Sequence, residues 1–151
     1  MRLLDYMQKD LIFLDIPAEN KEDAVTKIVK GMKNNGAVSD DSKFLNAVLE
    51  REHLGSTAIG KGVAVPHART HHIDKITIAI ARLENGIDFD AEDEKPVGLI
   101  FLLGTPIKSV GEYLNVLSRL SRLLKNDTVR KELFKAGSQD DILSIFKDAE
   151  N

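Results

Sequence analysis

Three of the four histidines in the chain lie within one short stretch, GSTAIGKGVAVPHARTHH, at residues 55–72. Side chains in this pattern could form three kinds of site. Glycines before a lysine are typical of a loop that binds phosphate, and clustered histidines can ligate a metal ion. A single histidine at the end of a strand can act as a nucleophile or move a proton. Each alternative predicts a different function.

The phosphate loop would use residues 55–61, which match the first seven positions of the pattern G-x-x-x-x-G-K-[ST]. The eighth position is Gly62, so the hydroxyl that would hold Mg²⁺ is missing. The context is also reversed, because such a loop follows a strand and opens a helix, whereas this segment follows a predicted helix and precedes a predicted strand. The sequence therefore disfavours a nucleotide-binding loop.

A metal site would use His67, His71 and His72, with Asp74 as a further ligand. Positions 67 and 71 would share a face only on a helix, and Pro66 and the lack of apolar periodicity after it disfavour a helix here. The segment also lacks the H-E-x-x-H pattern of helical zinc sites. We expect His71 and His72 to be solvated loop residues, and we predict no metal and no cofactor.

The third alternative is one active histidine, His67. Gly60 and Gly62 allow tight turns close to a ligand, and backbone N–H groups there could face an anion. Pro66 cannot donate to a sheet, so it marks a strand end or edge and would leave His67 on a rigid element. Spacing alone does not separate an active histidine from a structural one.

The elements that must position this stretch are predicted from apolar periodicity and capping residues. Asn20, Ser39 or Asp40, and Ser138 are expected to cap helices, and Asn85–Gly86 is expected to be a turn between two strands. Leu114, Leu117, Leu120, Leu123 and Leu124 should form the apolar side of one helix. The fold class is α/β, with a mixed β-sheet sandwiched between helices in a single domain, 1–151. We predict strands at 11–16, 63–65, 76–83 and 97–104, and helices within 19–36, 39–55, 110–126, 128–135 and 138–150.

Composition limits the class of protein. The chain has 151 residues, of which 42% are apolar and 30% charged, and this is ordinary for one soluble globular domain. A net charge of −3 and the absence of Trp argue against a nucleic-acid partner. No apolar run approaches the roughly 20 residues that span a membrane, so we expect no membrane insertion. The lack of cysteines and of a secretory signal favours a cytoplasmic protein.

The stretch LEREHLGSTAIGKGVAVPHAR, at residues 49–69, resembles the signature of enzyme IIA domains of the bacterial phosphoenolpyruvate-dependent phosphotransferase system. The branch is the fructose/mannitol type, which includes the nitrogen-regulatory members. The segments NGIDFDAED, LLGTP and YLNVLSRLSRLL resemble the family in order and spacing. The signature reads R-E, a short gap, then T-x-I-G-x-G-x-A-x-P-H. Its positions here are Arg51, Glu52, Thr57, Ile59, Gly60, Gly62, Ala64, Pro66 and His67.

The resemblance implies a phosphoryl relay with a phosphohistidine intermediate on the protein itself. His67 would accept the phosphoryl group, at Nε2, from the histidine-containing phosphocarrier protein. It would pass the group to an enzyme IIB for sugar uptake, or use it as a regulatory signal to a target protein. Arg51 matches the family's arginine near the active histidine and would stabilise the phosphoryl oxygens.

The chain departs from the family at the second histidine, whose equivalent position is Tyr113. A phenol can donate a hydrogen bond, but it is uncharged near pH 7. This substitution suggests the alternative of a non-phosphorylated regulatory binding module on the same fold. Either function needs a small apolar docking patch, which we expect at Ile59, Val63 and the loop Ile107–Val110.

Overall fold

The computed structural model describes residues 2–151, in which one strand and two helices are followed by five consecutive strands and then by three helices. A 3₁₀ turn at Leu3–Tyr6 precedes the first strand. The strands are β1 (Met7–Ile16), β2 (Ala58–Gly60), β3 (Val63–Ala64), β4 (His67–Thr70), β5 (Thr77–Ile87) and β6 (Val97–Pro106). The helices are α1 (Lys21–Asn34), α2 (Asp41–Leu54), α3 (Val110–Leu124), α4 (Asp127–Lys135) and α5 (Gln139–Ala149).

The six strands form one mixed sheet in the order β1-β5-β6-β3-β2, with β4 also paired to β6. Strand β6 is antiparallel to β5 and parallel to both β3 and β4. Its side chains alternate between the two faces, so Ile100 and Leu102 pack under α1 and α2. Leu99, Phe101 and Leu103 pack under the other three helices. The predicted α/β class, a mixed sheet sandwiched between helices, is confirmed.

Helix starts follow the predicted capping residues. The side chains of Asn20 and Ser138 accept hydrogen bonds from the backbone N–H groups of the third helical residues, at 2.8 and 3.1 Å. Of the two predicted caps of α2, Asp40 is the one used, at 3.0 Å from the Lys43 nitrogen. Each side chain satisfies a donor that the helix itself leaves unpaired.

Three sequence predictions are wrong. Asn85–Gly86 is not a turn, because β5 continues to Ile87, which is buried and pairs with Val97 across an irregular stretch of the ladder. Leu114 does not join the core: it is 56% exposed and faces an open cavity, whereas the buried residues of α3 are Val116, Leu120 and Leu124. Strand β1 begins at Met7, four residues before the predicted start, because Met7 already pairs with Ile78 of β5.

Within residues 2–151, no helix combines the length and the apolar composition that crossing a bilayer requires.

Candidate functional site

His67 is the first residue of β4, a strand that the sequence analysis missed. Strands β3 and β4 pair with the same edge of β6 in one register, Val63 opposite Leu99 and His67 opposite Leu103. Between them lies Pro66, which has no N–H to donate; its carbonyl still accepts from the Leu103 nitrogen at 2.9 Å. Pairing with β6 therefore continues on both sides of the proline and holds the His67 backbone in place.

The imidazole of His67 has a fixed tautomer. Its Nδ1 lies 2.9 Å from the carbonyl oxygen of Val65. A carbonyl can only accept, so Nδ1 carries the proton and Nε2 keeps a free lone pair. Burial lowers the pKa of His67 below its usual value, and the Arg51 charge lowers it further, against opposing effects of the Val65 carbonyl and Glu52. The ring is therefore neutral at pH 7.

His67 lines an open cavity of about 620 Å³ between the end of α2, the strand β4 and the start of α3. The ring centroids of His67 and Tyr113 are 5.7 Å apart at 49°. All three sequence-predicted site residues line this one cavity. The complete lining is Ala47, Glu50, Arg51, Leu54, His67, Ala68, Arg69, Ile107, Val110, Tyr113 and Leu114.

Arg51 lies in the last turn of α2, where its Nη1 donates to the carbonyl of Gly55 at 2.9 Å. That contact satisfies one of the carbonyls that the end of a helix leaves free and fixes the side chain against the helix end. The charge of the guanidinium contributes to the lowered pKa of His67 and opposes the rise in the pKa of Tyr113. A fixed positive charge thus lies beside the neutral imidazole.

Tyr113 lies in the first turn of α3 and is half-buried. Burial raises the pKa of its phenol above the usual value, although the charges of Arg51 and Arg69 oppose this. The phenol therefore remains protonated at pH 7 and can donate a hydrogen bond. Tyr113 lines the cavity, where its phenol is available as a neutral donor.

Glu52 is a buried carboxylate next to this site, and its partners were not predicted. Its oxygens accept from the hydroxyl of Thr57, from the Thr57 nitrogen at 3.3 Å, and from Lys21 Nζ at 3.1 Å. Lys21 also pairs with Asp90 at 3.1 Å and lies 4.7 Å from the centre of the Phe89 ring. This network ties α1 to the end of α2. A single sequence contains no signal for it, because Lys21 and Glu52 are far apart along the chain.

The glycines before His67 lie in and beside the turn of a hairpin. Lys61 and Gly62 connect the antiparallel strands β2 and β3, and both have positive φ, 58° and 85°, as the tightest hairpin turns require. The Lys61 N–H donates to the Asp93 carboxylate at 2.7 Å. This amide of the turn is therefore already bound to a carboxylate of the chain itself.

Of the other residues singled out in the sequence, only part of the predicted docking patch lies at the site. His72 lies 3.4 Å from the hydroxyl of Ser39, away from the cavity. Among residues 2–151, no group of three or more His, Cys, Asp or Glu side chains is arranged to hold a metal ion. In the predicted patch, Val63 is fully buried and Ile59 lines other cavities, so this half is wrong. Ile107 and Val110 do line the His67 cavity and are exposed.

Comparison with known proteins agrees with the signature around His67. Residues 5–149 match the sequence model of the family described as phosphoenolpyruvate-dependent sugar phosphotransferase system, EIIA 2. The chain belongs to this EIIA family. It is 38% identical over 136 residues to a PTS system fructose-specific EIIA component from Haloferax volcanii, covering 90% of this chain and 88% of that one.

Solved structures give the same assignment for the EIIA fold. The nitrogen regulatory protein IIA-Ntr from Neisseria meningitidis superposes with a TM-score of 0.88 at 30% identity, covering 95% of this chain and 98% of that one. Enzyme IIAMTL from Escherichia coli, solved in complex with phosphorylated enzyme IIBMTL, superposes with a TM-score of 0.78 over 94% and 99% of the chains. At 23% identity, the second likeness concerns the fold alone.

Proposed function

We propose that this EIIA chain is a phosphoryl relay protein in which His67 receives and then transfers the phosphoryl group. The observation that carries the proposal is the state of the imidazole: Nδ1–H is bound to the Val65 carbonyl, the ring is neutral, and it lines an open cavity. Neutral Nε2 is the nucleophile that attack on phosphorus needs. No further base is required, because no proton leaves the ring.

The transfer step is a displacement at phosphorus in which one ring nitrogen replaces another. The lone pair of His67 Nε2 forms a bond to phosphorus in line with the phosphorus–nitrogen bond of the donor phosphohistidine. That bond breaks, and its electron pair returns to the donor ring. The positive charge that develops on the His67 ring lies next to the Val65 carbonyl, which still accepts from Nδ1–H. The return reaction with the acceptor runs through the same steps.

Arg51 and Tyr113 supply the stabilisation that a phosphoryl group needs. The guanidinium of Arg51 offers charge-assisted hydrogen bonds to the equatorial oxygens, where negative charge accumulates. The phenol of Tyr113 donates without adding charge. The cavity also opens at the N-terminus of α3, whose dipole favours an anion.

We propose the histidine-containing phosphocarrier protein as donor, and an enzyme IIB or a regulated target protein as acceptor. Support comes from four exposed apolar side chains at the rim of the cavity: Leu54, Ile107, Val110 and Leu114. Exposed apolar side chains gathered in one patch mark a protein-binding surface. The relatives include both a fructose component and a nitrogen regulatory protein, so both kinds of acceptor are represented among them.

The test is the intact mass of the protein after incubation with phosphoenolpyruvate, enzyme I and the phosphocarrier protein. We expect one acid-labile phosphoryl group on the wild type and on His71→Ala, an exposed histidine outside the cavity, and none on His67→Ala. An unlabelled wild type, with the upstream proteins active on another EIIA, would refute the relay. The non-phosphorylated binding module suggested by Tyr113 would then be the better hypothesis.

The acceptor class is tested by recovering partners from native lysate with the wild type and with His67→Asp, which carries a negative charge at the phosphorylation site. Recovery of a sugar-specific enzyme IIB supports a role in transport. Recovery of a kinase or an ion transporter supports regulation.

A further inference from the structure

Arg69 shares a face of β4 with His67. Side chains alternate along a strand, so residues 67 and 69 point to the same side, with α-carbons about 7 Å apart. His67 and Arg69 both line the cavity, and Arg69 is exposed where His67 is buried. The strand therefore places a long cationic side chain directly beside the imidazole, on the solvent side.

The guanidinium of Arg69 has no partner in residues 2–151: it makes no hydrogen bond and no ion pair with any side chain or carbonyl described there. Arg51 and Arg82, by contrast, are hydrogen-bonded to other parts of the chain. Arg51 donates to Gly55, while Arg82 pairs with Asp15 and donates to three carbonyls at the end of α4. Arg69 is thus a cation at the cavity whose donors are all available.

The charges at the cavity favour a second cation in the phosphorylated state. A phosphoryl group adds close to two negative charges, and the carboxylate of Glu50 also lines the cavity. Arg51 alone would leave this excess negative charge uncompensated. Arg51, Arg69 and Tyr113 all line this one cavity, and the charges of both arginines oppose the rise in the pKa of the phenol.

We propose that Arg69 is a second phosphoryl-binding residue, which together with Arg51 holds the phosphoryl group on His67 between two guanidinium groups. The proposal rests on the relay function proposed above. The planar guanidinium of Arg69 can donate two hydrogen bonds to two equatorial oxygens, whereas a lysine at the same place would supply charge without that geometry. Arg69 contributes to transfer by stabilising charge and takes no proton.

The experiment measures the rate of His67 phosphorylation with two donors, the phosphocarrier protein and the small molecule phosphoramidate. The variants are Arg69→Ala, Arg69→Lys and the control Arg122→Ala, another exposed arginine, near the far end of α3. For Arg69→Ala we expect a loss of about 10- to 100-fold with both donors, the size expected for a hydrogen bond to a charged group. Arg69→Lys should recover part of the rate, and Arg122→Ala should match the wild type.

The two donors separate chemistry from docking. A loss confined to the phosphocarrier protein, with an unchanged phosphoramidate rate, would assign Arg69 to protein docking and overturn the proposal. Wild-type rates for Arg69→Ala with both donors would overturn it as well. A wild type that neither donor labels would refute the relay itself, so failure of the function and failure of the Arg69 assignment are distinguishable.

Discussion

Replacing Lys21 by Met should destabilise the protein strongly, because it leaves a buried carboxylate without its cation. The Glu52 side chain is 2% exposed and the Lys21 side chain 19%, with 3.1 Å between Nζ and Oε2. Removing one partner of a buried ion pair costs about 3–5 kcal/mol. Since Lys21 reaches solvent at one end, we expect the lower limit, about 3 kcal/mol, which for a chain of this size lowers Tm by about 6–12 °C.

The assay is urea and thermal unfolding followed by circular dichroism, with Lys27→Met as the matched control. Lys27 lies on the same helix and pairs with Asp23 at 3.3 Å, but its side chain is 42% exposed. Such a pair contributes about 0.3–0.5 kcal/mol. The control should therefore unfold within a few degrees of the wild type.

The decisive variant is the double substitution Lys21→Met with Glu52→Gln. If the cost of Lys21→Met comes from an uncompensated charge, neutralising Glu52 removes that charge and restores part of the lost stability. A glutamine oxygen can still accept from Thr57. A double variant less stable than Lys21→Met alone would refute this reasoning and assign the loss to packing of the lysine stem.

Three further predictions concern the site and the turn that precedes it. Because the pKa of His67 is lowered, protonation of its ring destabilises the fold. The contribution of the neutral ring to stability is complete above about pH 6.5 and is lost as the pH falls from there through the folded pKa. NMR titration of Arg51→Ala should show the His67 pKa rising towards its usual value. Tyr113→Phe should slow phosphorylation by about 2- to 10-fold in a phosphoramidate assay, the loss of one neutral hydrogen bond, with Tm nearly unchanged. Gly62→Ala should cost about 1–2 kcal/mol in urea unfolding because φ is +85°, whereas Gly111→Ala, on α3 with open space around the added carbon, should stabilise slightly.

Local signals predicted the parts of the fold that local interactions decide. The helix caps at Asn20, Asp40 and Ser138 depend on a side chain and an N–H three residues later, so the sequence contains all of the information. The β6 strand was predicted because a short continuous run of apolar residues is typical of a strand that is covered on both faces. The prediction of a turn at Asn85–Gly86 was wrong because the pairing of Ile87 with Val97 outweighs the preference of these two residues for a turn.

The site was only partly predictable, because some of its contacts join segments that are distant in the sequence. The resemblance to the EIIA signature named His67, Arg51 and Tyr113, and all three line one cavity. The network of Lys21, Glu52 and Thr57 joins segments distant in sequence, so it is visible only once the chain is folded. Arg69 had a usable signal, the period-two spacing from His67, but only if residues 67–70 had been recognised as a strand.

That strand connects the fold to the chemistry. Pro66 interrupts the hydrogen bonding of the β3–β4 edge without changing its register, so His67 is held by the pairing of β4 with β6. The Val65 carbonyl, just before the proline, is left for the imidazole and fixes the proton on Nδ1. The pairing of β4 with β6 therefore determines where His67 lies, and the Val65 carbonyl determines that Nε2 is the nitrogen with a free lone pair, as the proposed relay requires.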